Sequence, residues 1–221
     1  MAGDSLEEYY RARAPEYEQI YYRDHPGRQA ELAAEADRLT ALASGKIVLE
    51  LACGTGYWTR VMSQTAARIT ATDIALEALV EARKKEYGCE VAFVQADMFT
   101  HSFGDAAFDL VALGFWFSHQ PRQSYDQLFD VLTRPLKKGR LIWMIDNNPP
   151  AEGTAEVSCQ TDEFGNNYKQ RYLSDGRSFL ILKNYFSRKE LEEIFGSRFR
   201  IRSLVHNEHY WSAVLGLSGT Q

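Results

Sequence analysis

Lys46-Ile47-Val48-Leu49-Glu50-Leu51-Ala52-Cys53-Gly54-Thr55-Gly56 decides the fold. Its first half is apolar and β-branched and reads as a buried strand. Its second half is a run of small residues that lets the chain turn tightly and lets backbone approach a ligand closely. Trp58 to Gln64 then reads as a helix. A helix start after such a loop offers free amide groups to a negatively charged ligand group.

The same alternation continues downstream. Ile69 to Asp73 reads as a second strand and Leu76 to Tyr87 as a second helix. Val91 to Val94 is a third strand, Phe108 to Leu113 a fourth, and Tyr125 to Leu132 the helix after it. Leu136-Lys137-Lys138-Gly139 reads as a turn into a fifth strand, Arg140 to Ile145. Strands alternating with helices imply a mostly parallel sheet covered on both faces, with ligands at the strand C-termini.

Around this core the pattern differs. Residues 1–45 read as helical, with Leu6 to Ala14 ending at Pro15, a turn at Asp24-His25-Pro26-Gly27, and a helix from Gln29 to Leu42. After Asp146 the chain is turn-rich to Gly165. Tyr168 to Leu173 and Ser178 to Tyr185, joined through Asp175-Gly176, read as a β-hairpin. Ser187-Arg188-Lys189-Glu190 is a capping box opening a short helix. Arg200 to Val205 and Tyr210 to Leu217 read as an antiparallel pair closing the sheet.

Composition bounds the function. The 221 residues carry a net charge of −5, with 45% hydrophobic and 25% charged residues, as in an ordinary globular protein. The acidic balance and the absence of an added recognition domain argue against a nucleic-acid partner. Cys53, Cys89 and Cys159 form no disulfide or zinc pattern, so a reducing cytoplasm is the expected location and no metal is expected. No apolar run is long enough to span a membrane, and the N-terminus has no signal-peptide pattern. A monomer or homodimer is expected. Aromatics are the excess: five of the twelve tyrosines fall at Tyr9, Tyr10, Tyr17, Tyr21 and Tyr22.

Asp73 follows Gly54 by 19 residues and ends the second strand, where an acid can accept hydrogen bonds from a ribose diol. Two cofactor classes use that arrangement. A dinucleotide site wants a small residue where Thr59 stands. The order acidic-x-small-x-Gly-x-Gly, with Glu50 at its head and Ala52 in place of the usual first glycine, instead resembles the first motif of class I S-adenosylmethionine-dependent methyltransferases of the small-molecule type. Asp73, Gln95-Ala96-Asp97-Met98, Phe108-Asp109-Leu110-Val111 leading to Gly114, and Leu136 to Leu141 resemble the motifs that follow, over residues 46–146.

The resemblance implies one methyltransferase domain over residues 1–221. It has an N-terminal helical lid (1–45), a cofactor-binding core (46–146), and a substrate-side loop, hairpin and sheet-closing end (147–221). The implied fold is a Rossmann-like, seven-stranded, mostly parallel α/β sheet with an antiparallel last strand. The implied cofactor is S-adenosyl-L-methionine. Glu50, Ala52, Cys53, Gly54, Gly56, Asp73, Ile74, Asp97, Met98, Gly114 and Phe115 would form its site, with Arg11 and Tyr17 from the lid. Asp97 would meet the adenine amino group, and Met98 the ring. An alternative for the lid tyrosines is packing outside the core, hydroxyls in water.

On the acceptor side the expected residues are Tyr10, Tyr21, Trp116, His119, Asn147 and Tyr172. Phe115 and Trp116 would wall the methyl donor, or simply pack in the core. His119 is the candidate general base; a helix-capping or hydrogen-bonding histidine is the alternative. The expected activity is methyl transfer to O or N of a small, partly apolar or aromatic molecule. Methylation of a protein or RNA, and an NAD-dependent oxidoreductase, are the alternatives.

Overall fold

The computed structural model describes residues 8–12, 25–150, 160–173 and 175–217. A helical turn spans 8–12. The ordered elements that follow are α1 (Pro26–Ala43), β1 (Ile47–Leu51), α2 (Tyr57–Ser63), β2 (Arg68–Asp73), α3 (Leu76–Ala82), β3 (Glu90–Gln95) and β4 (Phe108–Gly114). Then come α4 (Tyr125–Thr133), β5 (Leu136–Asn147), β6 (Gln160–Thr161), β7 (Asn167–Tyr172), β8 (Ser178–Leu182), α5 (Arg188–Gly196), β9 (Phe199–His206) and β10 (Tyr210–Leu217).

Seven strands form one sheet in the order β3-β2-β1-β4-β5-β10-β9. Pairing is parallel from β3 across to β5 and antiparallel on both sides of β10. The switch in winding lies between β1 and β4, the place where sheets of this kind bind ligands at the strand ends. Side chains alternate across the sheet. Leu49, Leu51, Val111, Leu113, Ile142 and Met144 face one core with Leu128 and Leu132 of α4 and Phe195 of α5. Val48, Leu110, Ala112, Trp143 and Ile145 face the other, with Leu39 of α1, Met62 of α2 and Leu79 of α3. Both faces are therefore covered, as the near-continuous apolar strands require.

Three local readings are corrected. The helix from Leu76 ends at Ala82, not Tyr87. Tyr87 folds back so that its hydroxyl donates to Ala82 O at 2.7 Å, satisfying a carbonyl of the last turn. Leu136 to Gly139 belong to β5, because Leu136 pairs with Phe108 before a register shift. The helix expected from Gln29 starts at Pro26, with His25 Nδ1 accepting from Arg28 N at 3.3 Å, so the proline is a helix starter. The hairpin is present but gains a third strand: β6-β7-β8 form a separate antiparallel sheet.

Two polar anchors hold the layers. At the strand N-terminal edge, Asp109 accepts from Ile47 N (3.1 Å) and pairs with Lys137 (3.1 Å) and Arg140 (3.2 Å). Beneath α1, buried Glu35 accepts from Trp143 Nε1 (2.7 Å), Ser212 Oγ (2.9 Å) and Arg38 (2.8 Å). Glu35→Ala would leave an indole N–H and a hydroxyl without their acceptor inside the core. The expected loss is about 2–4 kcal/mol of unfolding free energy in urea titration. A loss below about 1 kcal/mol would show that α1 is held by its apolar face alone.

Candidate active site

The loop after β1 is shaped by backbone conformation. Ala52 (φ 50°), Gly54 (φ 55°) and Gly56 (φ 82°) all lie in the left-handed region. For Ala52, which has a Cβ, this costs about 1–2 kcal/mol. Phe115 at the end of neighbouring β4 has φ 57°. Strain at adjacent strand ends on one edge is a mark of a working site. Gly114 has no room for a side chain: an added Cβ would lie 2.6 Å from Trp58 Cδ1.

Asp73 ties this loop to β2. Its Oδ2 accepts from Gly54 N at 2.8 Å and its Oδ1 from Ala75 N at 2.9 Å. Burial pushes its carboxyl up, and these amides oppose the shift. Each oxygen keeps a second lone pair for a diol. Beside it, Ile74 and Leu76 are exposed, 41% and 46%. They offer an apolar surface for a flat ring. β3 delivers Asp97 and Met98 next to them, with Ala96 N on Asp73 O at 3.0 Å. Asp97 Oδ1 accepts from Phe99 N at 2.9 Å, and Met98 is buried.

Glu50 is buried at the end of β1 and accepts from Thr59 Oγ1 at 2.5 Å. Burial raises its pKa to about 8, against the Thr59 hydrogen bond. Burial likewise pushes the Cys53 thiol up, so it stays protonated. Thr55 Oγ1 lies buried in the loop with no hydrogen-bond partner among the described residues. The orphaned hydroxyl, the diol acceptor and the apolar shelf together fit a nucleoside cofactor such as S-adenosylmethionine.

Across the crevice, His119 sits in a short 3₁₀ turn (Phe117–His119) after β4. Its Nδ1 donates to Leu182 O at 2.6 Å, which leaves Nε2 to accept from the Tyr10 hydroxyl at 2.7 Å. Burial, then the Lys183 charge, lower its pKa to about 3, with Asp146 opposing. Lys183 Nζ donates to Asp146 Oδ1 (2.9 Å) and Ser118 Oγ (2.6 Å), and Asp146 Oδ2 accepts from Ser118 N (2.8 Å). The small sheet thus docks onto the ends of β4 and β5.

Residues 8–12 bridge the two sides. Tyr10 meets His119, Tyr9 packs on Phe179 of β8 at 5.7 Å, and Arg11 pairs with Glu77 of α3 at 3.5 Å. The segment therefore touches both the turn after β4, through Tyr10, and α3 after β2, through Arg11.

Other expected residues divide. Phe115 is buried between Trp58 (6.2 Å) and Tyr210 (5.6 Å). Trp116 is half-buried against Phe99 at 5.8 Å. Asn147 turns its amide onto Asp146 at 3.2 Å. Tyr172 is not brought in: it is 74% exposed, on the outer face of β7. Tyr17 and Tyr21 lie outside the described residues. Sequence reasoning missed Asp146, Lys183, Lys169 and Arg171. No local pattern marks them, because the contacts that gather them join positions far apart in the sequence.

Comparisons with known proteins bear on the family, the fold and the cofactor. The family described as a methyltransferase domain matches residues 48–139. The solved DhpI–SAH complex is 30% identical, covering 99% of this chain and 97% of that one, with a TM-score of 0.76. The DhpI–SAM–HEP complex is 29% identical over 97% of each chain, also at 0.76. Demethylmenaquinone methyltransferase of Thermus thermophilus is 33% identical over 112 residues, 49% of this chain and 50% of that protein. The chain spans about half the length of the curated relatives it matches.

The two buried groups give opposite pH signatures. An unfolded chain ionises Glu50 near 4.5 but the fold holds it protonated to about 8, so its contribution is full below pH 4.5 and declines as pH rises to 8. His119 protonates near 6.5 when unfolded and near 3 when folded, so its contribution is full above pH 6.5 and declines as pH falls towards 3. Melting temperatures across pH should show Glu50→Gln flattening the alkaline decline and His119→Asn flattening the acid one. An unchanged alkaline slope in Glu50→Gln would mean that Glu50 is ionised in the folded protein.

Proposed function

The chain belongs to the S-adenosylmethionine-dependent methyltransferases, and from that premise we propose that it moves a methyl group to an O or N atom of a small, partly apolar molecule. One observation carries the cofactor half of this reading. The strained loop after β1 is hydrogen-bonded through Gly54 N to the Asp73 carboxylate at 2.8 Å, which supports a reading in which one side chain both shapes the loop and meets the nucleoside. Asp73 would hold the ribose, Ile74 and Met98 would flank the base, and Gly114 would give passage to the amino-acid part. When bound, S-adenosylmethionine supplies an electrophilic methyl on a sulfonium.

Aromatic rings support the acceptor half. Tyr10, Phe115 and Trp116 stand at the β4 end, where aromatic faces favour a neighbouring cation and an apolar body. We assign residues 8–12 the part of a lid, which excludes water and fixes orientation, the main sources of acceleration for a simple displacement. His119 works through Tyr10 as a positioning residue, since Nε2 is already engaged.

Asp73→Ala should weaken S-adenosylhomocysteine binding at least tenfold by calorimetry, about 1.5–3 kcal/mol for a lost charge-assisted contact. Unchanged affinity would remove Asp73 from the site. Tyr10→Phe should lower turnover more than cofactor affinity. Equal losses in both would place Tyr10 on the cofactor instead.

A further inference from the structure

The glycine loop after β1 is held from two sides. From β2, the Asp73 carboxylate accepts from Gly54 N at 2.8 Å. From beyond the end of α3, the Tyr87 hydroxyl stands where a Gly56 side chain would point. A Cβ added to Gly56 would lie 2.6 Å from Tyr87 Oη and 3.1 Å from Ala82 Cβ. The same hydroxyl donates to Ala82 O at 2.7 Å, and the Tyr87 ring leans on Phe93 of β3 at 5.4 Å. The next residue reaches the other end of the helix that the loop opens. Gly88 N donates to Ser63 Oγ at 3.0 Å, and a Cβ on Gly88 would lie 2.7 Å from Ser63 O. Tyr87 and Gly88 therefore touch α2 at both ends, Gly56 just before it and Ser63 at its close.

α2 has seven residues. A helix that short is not stable alone, so its position is set by what it touches. It carries or adjoins three groups of the candidate site. Gly56 ends the loop, Thr59 Oγ1 donates to Glu50 at 2.5 Å, and Trp58 packs where a Gly114 side chain would stand. Gly56 is also the freest link. At φ 82° it lies in the left-handed region, which glycine leaves as readily as it enters. A hydroxyl fixed on Ala82 O and set against Gly56 takes that freedom away. Loop shape is then set before the ligand arrives, and a preformed site keeps the ordering cost out of the binding free energy.

Resting on the methyltransferase reading, we propose that Tyr87 is a positioning residue for S-adenosylmethionine. Its hydroxyl locks Gly56 and holds the glycine loop in the shape that receives the cofactor. Tyr87 acts through Gly56, not on the reacting atoms. The oxygen is the part that matters: phenylalanine would keep the ring on Phe93 and lose only the atom that meets Ala82 O and Gly56.

The test uses the full chain and S-adenosylhomocysteine. Tyr87→Phe should weaken binding roughly three- to tenfold by calorimetry, at a temperature where circular dichroism shows the variant folded. Glu35→Ala loosens α1 on Trp143 and Ser212, away from the loop, and should keep the parent affinity. That control separates loop positioning from stability. Direct contact is read from a double-mutant cycle in urea. Gly56→Ala should cost less unfolding free energy in the Tyr87→Phe background than in the parent, because the oxygen that meets the new methyl is gone. Parent affinity in folded Tyr87→Phe overturns the inference. So does an equal loss of affinity in Glu35→Ala, and so does an additive cycle. In each of those cases a parent chain that binds S-adenosylhomocysteine leaves the methyltransferase reading standing. A parent chain that binds neither S-adenosylmethionine nor S-adenosylhomocysteine fails that underlying reading itself.

Discussion

The buried pair of Lys183 and Asp146 is the joint on which the site depends. Both side chains are buried, and both also bond Ser118. Desolvating two charges offsets most of their attraction, so such a pair is weak evidence for net stability. Its effect here is registry. Asp146 lies near the end of β5 and Lys183 just past β8, so the pair fixes where the small sheet sits over the large one. A buried, satisfied amide network continues the seam. Asn184 bridges Gln120 O (3.2 Å) and Asn167 N (2.9 Å), and Asn166 Oδ1 accepts from Arg122 N (2.8 Å).

Two halves with different physics meet along that seam. The proposed cofactor half is built from backbone: left-handed loop residues, an acid on a strand end, and a glycine with no room for a Cβ. The proposed acceptor half is built from side chains whose charges are set by one another. Residues 8–12 touch both, through Glu77 on one side and His119 on the other.

The backbone-built half was legible in the sequence, because loop glycines, strand periodicity and the spacing from Gly54 to Asp73 are local signals. The capping box at Ser187 and Glu190 was local too, and both of its bonds are present. Helix ends were less so: Tyr87 closes the α3 turn through a fold-back that periodicity does not carry. The charged cluster around His119 was illegible for a different reason. Lys183 meets Asp146 across 37 residues and Tyr10 meets His119 across 109. Tyr172 shows the converse error, since one step of strand register decides whether a side chain faces the site or solvent.

Asp109 lends itself to a different use. Its hub of Ile47, Lys137 and Arg140 sits at the strand N-termini, the edge of the sheet opposite the crevice. This one fastening is thus separated from the candidate site by the length of a strand. An engineer seeking a sturdier protein has a workbench there: charges and turn residues at that rim can be rewritten without replacing any residue of the candidate site.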